Sequence, residues 1–263
     1  MRLVIVGGGR MGEALLGGLL SSGWAEAGEL GVAEPLDGRR DELAARYPGV
    51  SLGTAPWAAD GAVVAVKPAD VRAACRAVAA AGTARVLSIA AGVPLARLEA
   101  DLPGVAVVRA MPNTPALVGS GAAAIAGGSQ ATDGDLAWAE EILGAVGEVV
   151  RVPEALLDAV TGLSGSGPAY VLLVVEALIE AGVLVGLPRE VSSRLTVATL
   201  LGTARLLAEG GESPEALRAG VTSPGGTTAA GLRALEAAGV RSAFIEAVAA
   251  ATERSRQLGG PGG

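Results

Sequence analysis

Leu3-Val4-Ile5-Val6 is a short, unbroken apolar run that ends in glycines. A run of that length bounded by turn formers reads as a strand buried on both faces. Over Glu13–Leu20 the apolar positions change to helical spacing, and the exchange then repeats. Strands are predicted at Leu30–Ala33, Ala62–Val66, Arg85–Ala90 and Val105–Ala110, with further ones at Ala122–Ala126 and Val149–Val152. Helices are predicted over Asp37–Tyr47, Val71–Ala80 and Asp135–Leu143. Such alternation implies an α/β fold built on a parallel, doubly wound, Rossmann-like sheet.

The pattern changes after Pro153. Strand signals stop, and helices are predicted at 154–163, 168–184, 189–209, 213–220, 226–238 and 241–257. The expected organisation is an α/β domain over 1–152, an all-helical domain over 153–258 and a disordered tail over 259–263. The segment 168–184 is apolar nearly all round, a pattern that belongs to a helix buried on every side. About 110 residues leave little room for that, so a second subunit is expected to cover it.

Composition narrows the chemistry. The chain has 263 residues and is 51% hydrophobic but only 2% aromatic, so its core is Ala, Val, Leu and Gly. A net charge of −7 with no basic block argues against nucleic acid. Glu176 and Glu180 interrupt the longest apolar stretch, Tyr170–Leu187, so no membrane span is expected. Met1-Arg2 leads straight into a strand, and no export signal is read; the expected location is cytoplasmic. The single cysteine, Cys75, forms no intrachain disulfide and no cysteine-rich zinc site. The chain has no histidine, which removes Ser-His-Asp and Cys-His machinery and His-ligated metals, and no metal is expected.

Of the 20 Lys and Arg residues only one, Lys67, is Lys. It stands after an apolar strand that Pro68 stops. Ligands of parallel sheets bind at the carboxyl ends of strands, and an ammonium is a compact point charge with three donors. Chance placement is the bland alternative.

Gly7-Gly-Gly-Arg-Met-Gly12 fits G-x-G-x-x-G between a strand and a helix, the context that gives this motif weight. Gly7 would make the tight turn, Gly9 would admit a pyrophosphate, and Gly12 would let helix and strand pack. Residues 1–152 therefore read as a dinucleotide-binding domain. Glu34 at the end of the second strand favours NADH, because an acid there accepts from a ribose 2′-hydroxyl. Arg39 and Arg40 lie just beyond and would suit the 2′-phosphate of NADPH, unless they are solvated helix surface. The cofactor is NADPH or NADH.

Three further loops stand out. Arg109-Ala-Met-Pro-Asn-Thr-Pro115 is stiffened by two prolines, which would fix Asn113 and Thr114 at the sheet edge. Ser164-Gly-Ser-Gly-Pro-Ala-Tyr170 precedes the apolar helix, with Ser166 or Gly167 as its cap and Pro168 in its first turn. Val221-Thr-Ser-Pro-Gly-Gly-Thr-Thr228 gathers hydroxyls and glycines before a helix, where backbone N–H groups hold a carboxylate without a cationic side chain.

Taken together these segments resemble pyrroline-5-carboxylate reductase. The match runs over essentially the whole chain and is densest over Leu217–Glu236. The resemblance implies reduction of 1-pyrroline-5-carboxylate to L-proline with NAD(P)H, the final step of proline biosynthesis. It also implies a Rossmann domain, helices interlocked between two subunits, dimers that assemble further into decamers, and a pocket completed across the dimer. It assigns Thr228 to the ring nitrogen, and Ser223, Gly226 and Thr227 to the substrate carboxylate. It assigns Gly7, Gly9, Arg10, Met11, Gly12, Glu34, Lys67, Pro68 and Asn113 to the cofactor, with Lys67 placed near the reaction together with Thr228. Arg10 stands where relatives often carry Asn. Imine reductases and 3-hydroxyacid dehydrogenases share this plan, but the latter use a catalytic Lys that has no counterpart after residue 67. A non-catalytic dinucleotide sensor would need the glycine loop but not the Thr222–Thr228 segment.

Overall fold

A computed structural model describes residues 1–260 of the chain. By compactness these form two units: Met1–Pro168 with the chain from Ala249 onward, and Ala169–Val248. The expected tail over 259–263 meets the end of a helix at Gly259, and its residues 261–263 lie outside the described part.

The first unit holds the sheet. In chain order it contains β1 (Leu3–Val6), α1 (Arg10–Ser21), β2 (Leu30–Ala33), α2 (Asp37–Arg46), β3 (Ser51–Gly53), β4 (Gly61–Val64) and α3 (Val71–Ala80). It continues with β5 (Arg85–Ser88), α4 (Leu95–Asp101), β6 (Ala106–Met111), β7 (Gly121–Gly127), α5 (Asp133–Gly144), β8 (Gly147–Arg151) and α6 (Leu157–Val160). The eight strands are ordered β3-β2-β1-β4-β5-β6-β7-β8. The chain leaves β1 in both directions, so the order reverses between β1 and β4, where doubly wound sheets bind ligands.

Successive residues of β1 enter opposite layers, as strand geometry requires. Leu3 and Ile5 join a core with Leu15, Leu16 and Leu19 of α1 and Ile142 of α5. Val4 and Val6 join a second core with Val71, Cys75 and Val78 of α3 and Leu98 of α4. Two of the three tryptophan rings are seated on strand glycines. A β-carbon on Gly31 would lie 2.3 Å from Trp57, and one on Gly61 would lie 2.4 Å from Trp138.

The expected all-parallel sheet needs one correction: β7 runs antiparallel to β6, and β8 pairs parallel to β7. The link from β6 to β7 is a short loop around a 3-10 turn over Thr114–Val118. A parallel return needs a crossover of a dozen or more residues, and this link is too short to make one. The third strand ends at Val64, not Val66, and the short edge strand β3 and helix α4 were not foreseen. A Leu95 N–H donates to Glu154 Oε1 at 2.7 Å, and Glu154 also accepts from the buried Arg109 at 2.8 Å. The start of α4 is therefore held by a residue far along the chain. The single helix expected over 154–163 is a 3-10 turn, then α6, then a π-helical turn over Thr161–Gly165.

The second unit consists of helices: most of α7 (Gly167–Leu184), α8 (Arg189–Gly210), α9 (Pro214–Gly220), α10 (Thr227–Ala237) and the first half of α11 (Val240–Gly259). Gly182 lets α7 and α8 approach closely, since a β-carbon there would lie 2.1 Å from Ser192 Oγ. No residue of α7 is buried within the chain, and Leu184 is 86% exposed.

Replacing Gly61 with Ala is expected to destabilise the protein by about 1–3 kcal/mol, because the new methyl must displace a buried tryptophan ring. Chemical denaturation reads this directly. An unchanged midpoint would mean that Trp138 moves aside freely.

Candidate active site

The carboxyl ends of β1, β2 and β4 are shaped by close backbone contacts. Gly7 has φ +105°, and a β-carbon on it would lie 2.7 Å from the Ala65 carbonyl oxygen. A β-carbon on Gly12 would lie 2.1 Å from the Gly7 carbonyl oxygen. Only glycine meets both demands. Gly9 differs: it is exposed and has no atom within 4 Å of its missing β-carbon. It caps α1 without any side-chain bond to the first turn, so the N–H groups there remain available to an anion.

Glu34 follows β2 and is only 7% exposed. The Gly8 N–H donates to its Oε2 at 2.9 Å and the Leu36 N–H to its Oε1 at 3.0 Å. The carboxylate thus ties the glycine loop to the end of β2. Neither nearby arginine is solvated surface. Arg39 donates through Nε to the Gly8 carbonyl at 2.7 Å and pairs with Glu13 and Glu42. Arg40 donates to the Glu34 carbonyl at 2.7 Å and pairs with Asp37. Glu13 also pairs with Arg46, so one carboxylate on α1 holds two arginines of α2.

Lys67 and Pro68 lie beyond β4. Both are exposed, and Lys67 forms no ion pair among the described residues. Arg10 and half-buried Met11 open α1, and Arg10 is likewise exposed and unpaired. Gly7, Gly9, Arg10, Met11, Gly12, Glu34, Lys67 and Pro68 therefore share one edge of the sheet, around its reversal point. Asn113 stands further along. Its amide donates to the Ser164 carbonyl at 3.0 Å, and its carbonyl accepts from the Ala122 N–H at 2.8 Å. It staples the end of β6 to β7 and to the π turn, so its polar groups are committed within the chain.

One feature was not singled out from sequence. A cleft of about 540 Å³ opens beside Pro68, walled by Gly92, Val93, Thr161, Ser166 and Ser255. Within it the Thr161 hydroxyl donates to the Leu157 carbonyl and the Ser255 hydroxyl to Asp158, whereas the Ser166 hydroxyl has no partner among the described residues. Cys75 is no nucleophile. Burial, aided by the charge of Asp101, pushes its thiol up to about 11.

The remaining predicted residues lie in the helical unit. Gly225, with φ +71°, turns the chain, and the Gly226 N–H donates to the Ser223 carbonyl at 3.0 Å. Gly226 caps α10 with no side-chain bond, leaving the first-turn N–H groups of Thr227 and Thr228 exposed to an anion. A β-carbon on Gly226 would lie 2.3 Å from Ser223 Oγ, so the serine folds over the helix start. The Thr222 hydroxyl is spent on the Arg218 carbonyl at 2.6 Å. The hydroxyls of Ser223, Thr227 and Thr228 have no partner among the described residues.

Known proteins resolve what this assembly belongs to. A chain from Synechocystis named pyrroline-5-carboxylate reductase is 47% identical over 98% of both chains. The chain belongs to the pyrroline-5-carboxylate reductase family. Residues 154–258 match the family described as pyrroline-5-carboxylate reductase dimerisation. Residues 2–92 match the one described as NADP oxidoreductase coenzyme F420-dependent. The solved pyrroline-5-carboxylate reductase of Coxiella burnetii superposes with TM-score 0.93 at 34% identity, covering 98% of each chain. That of Plasmodium falciparum, solved with NADP bound, superposes with TM-score 0.85 at 29% identity, covering 99% of this chain and 98% of its own.

The Glu13 cluster carries a pH signature. Burial opposes ionisation, but hydrogen bonds and charge from Arg39 and Arg46 outweigh it and hold the carboxyl below its usual range. A carboxyl lowered in the folded state stabilises the protein fully above its unfolded pKa and loses that contribution as pH falls through the folded value. Glu13→Gln should therefore be less stable than the wild type at neutral pH, with the gap closing on acidification. A gap independent of pH would rule the ion pairs out as its source.

Proposed function

We propose that this chain reduces 1-pyrroline-5-carboxylate to L-proline, the final step of proline biosynthesis. Family membership carries the reaction. The observation that carries the site is the pair of side-chain-free helix starts, at Gly9 and at Gly226. Each presents backbone N–H donors to an anion.

The first start suits a dinucleotide, because Gly9 is open where a phosphate must approach and the loop beneath it is held by Glu34. Gly7, Gly9, Arg10, Met11 and Gly12 bind the phosphates. Lys67 and Pro68 position the ligand at the end of β4. Asn113 acts by holding its loop. When bound, NADH or NADPH supplies the hydride that goes to the carbon of the C=N bond.

The second start suits the substrate carboxylate. The free N–H groups of Thr227 and Thr228, which Gly226 leaves uncapped, and the Ser223 hydroxyl hold it with no cationic side chain. The substrate reacts as its iminium, which explains why a chain without histidine manages the chemistry. Thr228 Oγ1 accepts from the iminium N–H and fixes the ring. Orientation and fixed dipoles then supply the rate enhancement.

We further propose that residues 153–258 form the substrate and dimerisation domain, that two copies pair through α7, that dimers assemble into decamers, and that the enzyme is cytoplasmic. By length and hydropathy the helical stretch Glu154–Leu184 would also suit a membrane. The dimerisation family matched there favours a protein partner, as do Glu176 and Glu180 within the stretch. Sedimentation without detergent should show two or more copies; a soluble monomer would contradict the pairing.

The test of function is oxidation of reduced nicotinamide dependent on 1-pyrroline-5-carboxylate. Thr228→Ala should lower kcat about 100-fold and leave dinucleotide affinity unchanged. Wild-type protein that binds dinucleotide without turnover would support the sensor reading instead. Undiminished kcat in the variant would remove Thr228 from the reaction.

A further inference from the structure

The residues around Glu34 bear on which dinucleotide is used. We infer that this chain selects NADH over NADPH, and that Glu13 enforces the selection by keeping Arg39 charge-paired. The inference rests on the proposed dinucleotide site and concerns its adenosine end.

In doubly wound dinucleotide folds, the residue at the end of the second strand meets the adenosine ribose. Here that residue is Glu34. Its carboxylate is fixed by the N–H groups of Gly8 and Leu36, at 2.9 and 3.0 Å. Each oxygen has a second acceptor site, so the group can still receive a ribose hydroxyl. A phosphate ester in the same place offers negative charge to a buried carboxylate that is locked in place.

NADPH would then depend on neighbouring cations, and those are already engaged. Arg39 spends Nε on the Gly8 carbonyl and its two terminal nitrogens on Glu42 and Glu13. Arg40 spends its terminal nitrogens on the Glu34 carbonyl and Asp37. Arg46 pairs with Glu13. The cluster holds four carboxylates, Glu13, Glu34, Asp37 and Glu42, against the three guanidiniums of Arg39, Arg40 and Arg46, a net charge of −1 before any ligand arrives. A 2′-phosphate would bring about two more negative charges. Arg10 is unpaired among the described residues, but it opens α1, where the pyrophosphate common to both cofactors would bind, so it does not discriminate between them.

Glu13 is the key to this arrangement. It is the one carboxylate that reaches from α1 to two arginines of α2, and its side chain is only 15% exposed. Its side chain bonds to Arg39, Arg46 and Tyr47 and not to the strand end or the glycine loop, so it is a positioning residue. Removing its charge would release Arg39 toward an incoming phosphate.

The experiment is titration of the intact protein with NADH and NADPH, followed by nicotinamide fluorescence. Competition by adenosine 5′-monophosphate and by adenosine 2′,5′-bisphosphate provides a second readout. NADH should bind at least about 10-fold more tightly than NADPH, and the monophosphate should compete better than the bisphosphate. Equal or tighter binding of NADPH overturns the inference while leaving the reductase reading intact. Binding of neither dinucleotide overturns both. Glu13→Gln should shift the ratio of the two dissociation constants toward NADPH by several-fold. Equal weakening of both would show that Glu13 only stiffens the loop, which overturns its assigned part.

Discussion

Everything proposed for the sheet edge depends on one close approach of backbone to backbone. The Gly7 carbonyl sits where a β-carbon of residue 12 would otherwise be, and the Ala65 carbonyl sits where a β-carbon of residue 7 would be. This contact draws α1 onto the ends of β1 and β4 and aims its free N–H groups over the reversal point of the sheet. Glu34 completes the arrangement by accepting the Gly8 N–H, and Arg39 by donating to the Gly8 carbonyl. The phosphate-binding loop is thus preorganised by its own neighbours, which is what keeps the cost of ligand binding low.

The same reliance on small residues runs through the fold. A core of Ala, Val and Leu with few rings fits only if elements pack closely, and the rings of Trp57 and Trp138 are placed over glycines of the strands. In the helical unit, Gly182 does the same for α7 and α8. The apolar surface left on α7 exceeds what a soluble monomer ordinarily shows, with Leu172 and Leu173 60% and 66% exposed. The domain that would hold the substrate is therefore also the one that calls for a partner.

Where structure is dictated locally, the sequence was legible. The apolar runs at Leu3–Val6 and Leu30–Ala33 and the helix over Val71–Ala80 stand where their patterns place them. Where structure is dictated from a distance, it was not. Helix α4 begins on an N–H held by Glu154, and β3 is a three-residue edge that exists because Gly31 and its neighbours offer it a ladder. The reversal of β7 follows from the length of a link, a feature that hydropathy does not register. The same division holds at the site. The glycine loop and the Thr222–Thr228 segment could be read from residue types, because backbone donors at a helix start depend on local spacing. The state of Arg39 and Arg40 could not, because it is decided by Glu13 on another helix. Residue types place Asn113 at the sheet edge beside the cofactor, but they give no sign that both sides of its amide are bonded within the chain.

The central claim is that two anions are held by two helix starts that carry no side-chain caps. The most direct measurement is a crystal structure of the protein with NADH and L-proline. The account predicts the diphosphate over Gly7–Gly12 and the proline carboxylate on the free N–H groups of Thr227 and Thr228 beyond Gly226, with the ring nitrogen at the Thr228 hydroxyl. A proline carboxylate held by Lys67 or by an arginine, or a diphosphate away from the start of α1, would contradict it.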